Sequence, residues 1–185
     1  MKINWLEIKR KIWHILWGVL IYFLILSTDK IIYQSLMMIL LIFGVIVKIL
    51  MHYKVNMSWV EWLIKKIGRK DEGIEAAFYF VLSIFVSSIF FEQRIVALSA
   101  LTLGVCDGVA TIFGIHGKNR LFRKKTVEGT TAFFISCFLI IYLSGFSKIT
   151  ALITGIILSI VELTTDINDN LIIPPVFSSL IKIFS

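Results

Sequence analysis

The 185-residue chain contains only two cysteines and two prolines, and twelve acidic residues against nineteen Lys and Arg. The cysteines, Cys106 and Cys137, lie far apart inside apolar runs. That excludes a disulfide framework and the close spacing of a zinc site, and leaves them as packing residues. There is no G-x-x-x-x-G-K-[ST] stretch and no protein-kinase glycine loop, which excludes an ordinary ATP-binding fold. No small-x-small cleavage site follows Leu26, so the basic N-terminal stretch and its apolar run read as an uncleaved first span rather than a signal peptide. Alternating apolar and polar residues are missing as well, which argues against a transmembrane β-barrel. With no internal repeat and no low-complexity segment, residues 1–185 read as a single domain.

What is abundant is apolar material: 58% of residues are hydrophobic, with a mean hydropathy of +0.90. A soluble domain of this size would have too little polar surface left to cover itself. The solvent for most of the chain is therefore lipid, and backbone groups in lipid are satisfied within helices. The apolar runs predict helices over 12–28, 31–50, 74–91, 95–114, 129–146, 148–163 and 171–184, the last short enough to be re-entrant or interfacial. The expected fold is an all-α integral membrane protein, a polytopic bundle of 6–7 transmembrane helices. Residues 56–67 are too short and too charged to span, and read as an amphipathic helix lying on the inner face.

Charge sets the orientation. With the N-terminus inside, fifteen of the nineteen cations fall on inside segments, and only Lys30, Arg94, Lys148 and Lys182 fall outside. The positive-inside rule thus places the N-terminus in the cytoplasm, in the cell membrane if the source is prokaryotic. Trp5, Trp13, Trp17, Trp59 and Trp62 fall near predicted cytoplasmic boundaries, as interfacial anchors do. The acids follow: all but Asp29 and Glu92 lie at or near cytoplasmic ends.

Three stretches on that side carry chemistry. Asp107 lies roughly 18 Å along the fourth predicted helix. A charge in the bilayer interior costs about 2.5–3.5 kcal/mol, so a cation or metal should compensate it. Gly104 and Gly108 beside it allow either close helix packing or the approach of a phosphate. Next comes a loop with Gly114, Gly117 and the cations Lys118, Arg120, Arg123, Lys124 and Lys125, leading to Thr126, Glu128 and Gly129. It reads as a topology signal or as a polyphosphate cradle in which cations hold phosphate oxygens and carboxylates hold Mg²⁺. Thr126 is placed to cap the fifth helix. The third stretch is VELTTDINDNLIIPP. Glu162 and Asp166 share a face if the helix continues, Asp169-Asn170 follow, and Pro174 is expected to end any helix. It reads as a solvated acidic loop or as the carboxylate half of a metal–nucleotide pocket. His14 follows Arg10 by one turn, as an interfacial residue or a proton acceptor. Asp71, Glu72 and Glu75 suit a helix N-terminus or could line the site.

Together these stretches resemble a family. Asp107, Gly114, Gly117-Lys118 and Lys124-Lys125-Thr126-Val127-Glu128-Gly129 resemble the GD…A…G…G…KT-x-EG stretch of the dolichol kinase, phytol kinase and CTP-dependent diacylglycerol kinase family. Glu162…Asp169-Asn170-Leu171…Pro174 is similar to its C-terminal E…DN…P element, and Arg10-Lys11-x-x-His14 to its N-terminal basic-His pattern. Cys106 stands where the family has Gly. Phosphatidate cytidylyltransferases share a related acid-then-KT-x-EG pattern.

The resemblance implies a membrane lipid-alcohol kinase that uses CTP and Mg²⁺ on a polyprenol at the cytoplasmic face, with membrane lipids around it. In that reading Asp107, Glu128 and His14 are catalytic. Lys118, Arg120, Lys124, Lys125, Thr126, Gly114, Gly117 and Asn170 bind nucleotide and phosphate, and Asp107, Asp169, Glu162 and Asp166 bind metal. No nucleic-acid partner is expected, and a homo-oligomer stays open. The alternatives are a kinase of the same family acting on phytol, geranylgeraniol or diacylglycerol, a CTP:lipid-phosphate cytidylyltransferase, and a small transporter or helical scaffold that uses the acids for ion or headgroup binding.

Overall fold

The computed structural model describes residues 5–53, 75–123 and 125–185. The expected amphipathic helix at 56–67 lies outside them, as do Asp71, Glu72 and Lys124. The described chain is all-α apart from one small hairpin. Its helices are α1 (Trp5–Ser27), α2 (Lys30–His52), α3 (Glu75–Phe90), α4 (Gln93–Ile115), α5 (Val127–Leu143), α6 (Lys148–Thr164) and α7 (Asp169–Phe184). Between α4 and α5, β1 (Arg120–Phe122) pairs antiparallel with β2 (Lys125–Thr126), turning at Arg123 with φ 52°.

Three helices, α1, α2 and α4, are long and apolar enough to cross a membrane. The other four have 16 or 17 residues, short of the ~20 that a ~30 Å hydrocarbon core asks for. The expected count of 6–7 spans is thus met by length in three helices only. The surface fits lipid nonetheless. Ile31, Ile39, Ile42 and Phe43 on α2, and Ile149, Ile156 and Ile160 on α6, face outward, while Ser83, Ser87, Ser99, Thr102, Thr154 and Ser178 are buried between helices. A water-soluble bundle has the reverse polarity.

The helices alternate in direction. At one end, Gln93 Nε2 donates to the carbonyls of Ile25 and Thr28, Arg94 donates to the Ser144 carbonyl, and Lys182 pairs with Glu92 at 3.5 Å. Those contacts join the α1–α2, α3–α4 and α5–α6 turns and the end of α7. At the other end, Lys48 of α2 meets Glu75 of α3 at 3.1 Å, beside the hairpin and the α6–α7 connection. Helix α4 is the axis, with nearly every residue from Ile95 to Gly108 buried.

The most extensive contact is α1 on α4, and glycine makes it. A Cβ on Gly104 would stand 2.7 Å from Gly18 Cα, and one on Gly108 would stand 2.4 Å from the Ile15 side chain. Gly104 and Gly108 are therefore the small-residue seam along which α1 lies. Gly104→Val puts a branched side chain against backbone that cannot yield. The expected result is a loss of about 1–3 kcal/mol, read as a fall in thermal midpoint in detergent. An unchanged midpoint would mean the two helices do not touch there.

The structure corrects two local expectations. Helix α1 is already formed at Trp5, the first described residue, and not only from residue 12, so Lys9, Arg10 and Lys11 are helical rather than a loose basic tail. Pro174 does not end a helix: Pro174 and Pro175 lie inside α7. Proline there removes two backbone donors, but Asn168 caps the helix start through its side-chain oxygen, and Ile173, Pro174, Phe177 and Ile181 are packed in the core. Tertiary packing outweighs the local penalty.

Candidate active site

At the end of the bundle that holds the hairpin, five helices leave a cavity of about 380 Å³. Its wall includes Glu7, Arg10 and Lys11 of α1, Asp107, Thr111 and Gly114 of α4, Lys125 and Thr126 of β2, Gly129 and Thr130 of α5, Glu162 of α6 and Asp169 of α7. Each acid arrives from a different helix. Asp107 sits about 12 Å short of the C-terminus of α4, Glu162 is in the last turn of α6, and Asp169 is the first residue of α7.

Every carboxylate on this wall meets a cation. Lys11 Nζ donates to Asp107 Oδ2 at 2.5 Å, and His14 Nε2 lies 3.4 Å from the same oxygen. The α1–α4 glycine seam delivers both, because Lys11, His14 and Gly18 recur at helical spacing on one face of α1. Lys125 Nζ donates to Glu162 Oε1 and, at 3.0 Å, to Asp169 Oδ2. Burial disfavours the Lys125 charge, but the Asp169 and Glu162 carboxylates outweigh it and hold the ammonium above the ordinary lysine range. Glu162 is 3% exposed, and its Oε2 is buried with no partner among the described residues. Glu7 holds Arg10 at 2.6 Å on the rim.

The loop beneath the cavity is braced from α5. Thr126 caps that helix, its hydroxyl oxygen accepting from the Gly129 N–H at 3.2 Å. Glu128 Oε1 accepts from the Lys118 N–H at 3.0 Å. Gly117 leaves no room for a side chain, since a Cβ would stand 2.6 Å from both Glu128 Oε2 and Thr126 Oγ1. Gly129 lets α5 close on α4, its Cβ position lying 2.9 Å from the Ala110 carbonyl. Glu128 thus orients the loop and is not on the cavity wall, where a catalytic role would place it.

The expected site residues separate into two groups. Asp107, Gly114, Lys125, Thr126, Glu162 and Asp169 line one cavity, and His14 stands behind Asp107. Asp166 does not join them. Helix α6 stops at Thr164, Thr165 turns extended, and the Asp166 side chain, 72% exposed, pairs with Arg123 on the hairpin. The expected shared face with Glu162 required a helix that the chain ends first. Lys118 and Arg120 are exposed on the loop and hairpin, outside the wall. Asn170 faces α3, its amide donating to the Ala76 carbonyl at 2.9 Å, so it ties α7 to α3, and it is not on the cavity wall. Among the described residues no three His, Cys, Asp or Glu side chains converge as a ready-made metal cage. The residue that sequence reasoning missed is Lys11, which counted only as a topology charge and a motif position. Its three-residue spacing from His14 was the signal.

A curated relative gives the chain its place. An uncharacterized protein, MJ1137, of the archaeon Methanocaldococcus jannaschii is 32% identical over 183 residues, covering 95% of this chain and 93% of that protein. The chain belongs to the MJ1137 family. No protein-family model matches it, and no solved structure does. The match to the archaeal relative runs nearly end to end, so the helices that build the cavity all fall within the length the two proteins share or within a few residues of it.

Proposed function

We propose that the chain is a membrane-embedded lipid-alcohol kinase that moves the γ-phosphate of CTP to the hydroxyl of a polyprenol. The observation that carries this reading is the cavity itself: three carboxylates and two lysines from five elements meet at one end of an apolar bundle. Phosphoryl transfer asks a protein mainly for positioning and charge neutralisation, and this wall offers both. In the proposal the helices shorter than 20 residues also traverse the bilayer, and the cavity faces the cytoplasm, where fifteen of the nineteen cations fall. The choice of CTP and of a polyprenol comes from the motif resemblance.

Magnesium fits the residues in its usual manner. The ion is normally held by one or two carboxylates, with phosphate oxygens and water completing the shell. Asp107 and Asp169 are the proposed ligands, and the partnerless buried Oε2 of Glu162 is a further donor. When bound, the ion would neutralise charge on the phosphate oxygens. Lys11 and Lys125 hold phosphate oxygens. Asp107 takes the alcohol proton as the alcohol oxygen bonds to the γ-phosphorus and CDP leaves. The lipid tail stays among the helices.

Membranes containing the protein should transfer label from γ-labelled CTP to a polyprenol in preference to phytol or diacylglycerol, and ATP should be a poorer donor. Label arriving from the α-phosphate with release of pyrophosphate would replace this reading with cytidylyl transfer. Absence of transfer, with no Mg²⁺–CTP-dependent rise in thermal midpoint, would leave transport or scaffolding.

A further inference from the structure

We infer that Lys11 and Lys125 stand in the places of a divalent cation, so that the cavity takes metal and polyphosphate together and neither well alone. This rests on the polyphosphate reading of the cavity. Lys11 Nζ lies 2.5 Å from Asp107 Oδ2, and Lys125 Nζ bridges Glu162 Oε1 and Asp169 Oδ2. A dication approaching any of these three carboxylates meets an ammonium already bonded to one of its two oxygens. Two cations on one carboxylate repel strongly where the group is withdrawn from water, as Glu162 is, so the lysine has to give way.

A displaced ammonium at a half-buried position needs a new anion, because an unpaired buried charge is strongly unfavourable. The bare wall offers Lys11 only Glu7, one turn away on α1 and already holding Arg10, whereas a polyphosphate supplies several oxygens. The converse also holds: a polyphosphate without metal faces four carboxylates, Glu7, Asp107, Glu162 and Asp169, whose charge Arg10, Lys11 and Lys125 only partly offset. Each ligand therefore removes the obstacle to the other. Lysine suits the exchange, being a compact charge on a flexible stem, where an arginine fork would lock the carboxylate bidentately. The second oxygen of Glu162, buried and without a partner among the described residues, is the point that the lysine arrangement leaves unsatisfied and that a metal would complete.

The test is equilibrium dialysis of the purified full chain in detergent with Mn²⁺, with and without inorganic tripolyphosphate, at matched free Mn²⁺. The expected result is weak Mn²⁺ retention alone and an affinity raised about 5–150-fold by tripolyphosphate, the ordinary range of coupling between two ligands. Lys11→Met should strengthen binding of Mn²⁺ alone and shrink the coupling. Equal Mn²⁺ binding by the native chain with and without tripolyphosphate overturns the inference and leaves the kinase reading standing. Binding of neither probe overturns both. Because the native chain alone gives the deciding comparison, a poorly folding variant does not blunt the test.

Discussion

If the chain is the proposed kinase, Asp107→Asn is expected to lower transfer from γ-labelled CTP to a polyprenol by about 10²–10⁴-fold, the usual contribution of a positioned proton acceptor. Asparagine keeps the shape of the side chain and can still accept from Lys11 through its amide oxygen, so the α1–α4 seam, built on Gly18 and Gly104, stays closed. What is lost is the negative charge and the basic oxygen. If Asp107 takes the proton, kcat falls, while retention of Mg²⁺–CTP, which also uses Asp169 and Glu162, falls less. If Asp107 only holds metal, nucleotide binding weakens along with rate. Asp166→Asn is the contrast: its exposed side chain meets Arg123 outside the cavity, and transfer should be unchanged. Unimpaired transfer by Asp107→Asn would remove that residue from the mechanism.

The contrast between Asp107 and Asp166 shows where sequence is legible and where it is not. Apolar runs mark helices well because lipid leaves the backbone no other solution: the predicted 95–114 and 148–163 appear as Gln93–Ile115 and Lys148–Thr164. The start of a helix is readable too where a capping residue marks it, as Thr126 does for α5. Legibility failed where a helix end decided the matter. Asp166 was two residues beyond the end of α6, and no local signal separated a further turn from the extended Thr165 that forms. Pro174 failed for the opposite reason, since its local penalty is clear but the packing of Phe177 and Ile181 that overrides it is long-range. Lys11 carries one local signal, its spacing from His14, but a lysine near a predicted membrane boundary already has a sufficient explanation in topology. Only the three-dimensional closeness of α1 to α4 shows that it meets Asp107.

Lys125→Met is expected to destabilise the fold more than any other single change at the site. Lys125 is the partner of both Glu162, almost wholly buried, and Asp169. Methionine matches its length without its charge, leaving two adjacent carboxylates that repel each other and lack a cation. Removing one partner of a buried pair typically costs about 3–5 kcal/mol; the partial exposure of the lysine places this case at the lower end. A cycle separates the causes. Glu162→Gln alone should cost less, because Lys125 keeps Asp169 and the amide can still accept its hydrogen bond. The double variant should recover part of the Lys125→Met loss, since one of the two stranded charges is gone. Thermal unfolding in detergent reads all four corners, and the coupling between contacting residues should fall in the usual range of about 0.5–3 kcal/mol. Additive losses would mean that Lys125 and Glu162 do not act as a pair. If Lys125→Met unfolds no more readily than the native chain, the cavity is wet enough to solvate its own acids, and the argument that metal must displace a lysine loses its energetic basis. The stability cycle and the metal dialysis therefore test the same arrangement from two sides, one through what the lysine holds together and the other through what it keeps out.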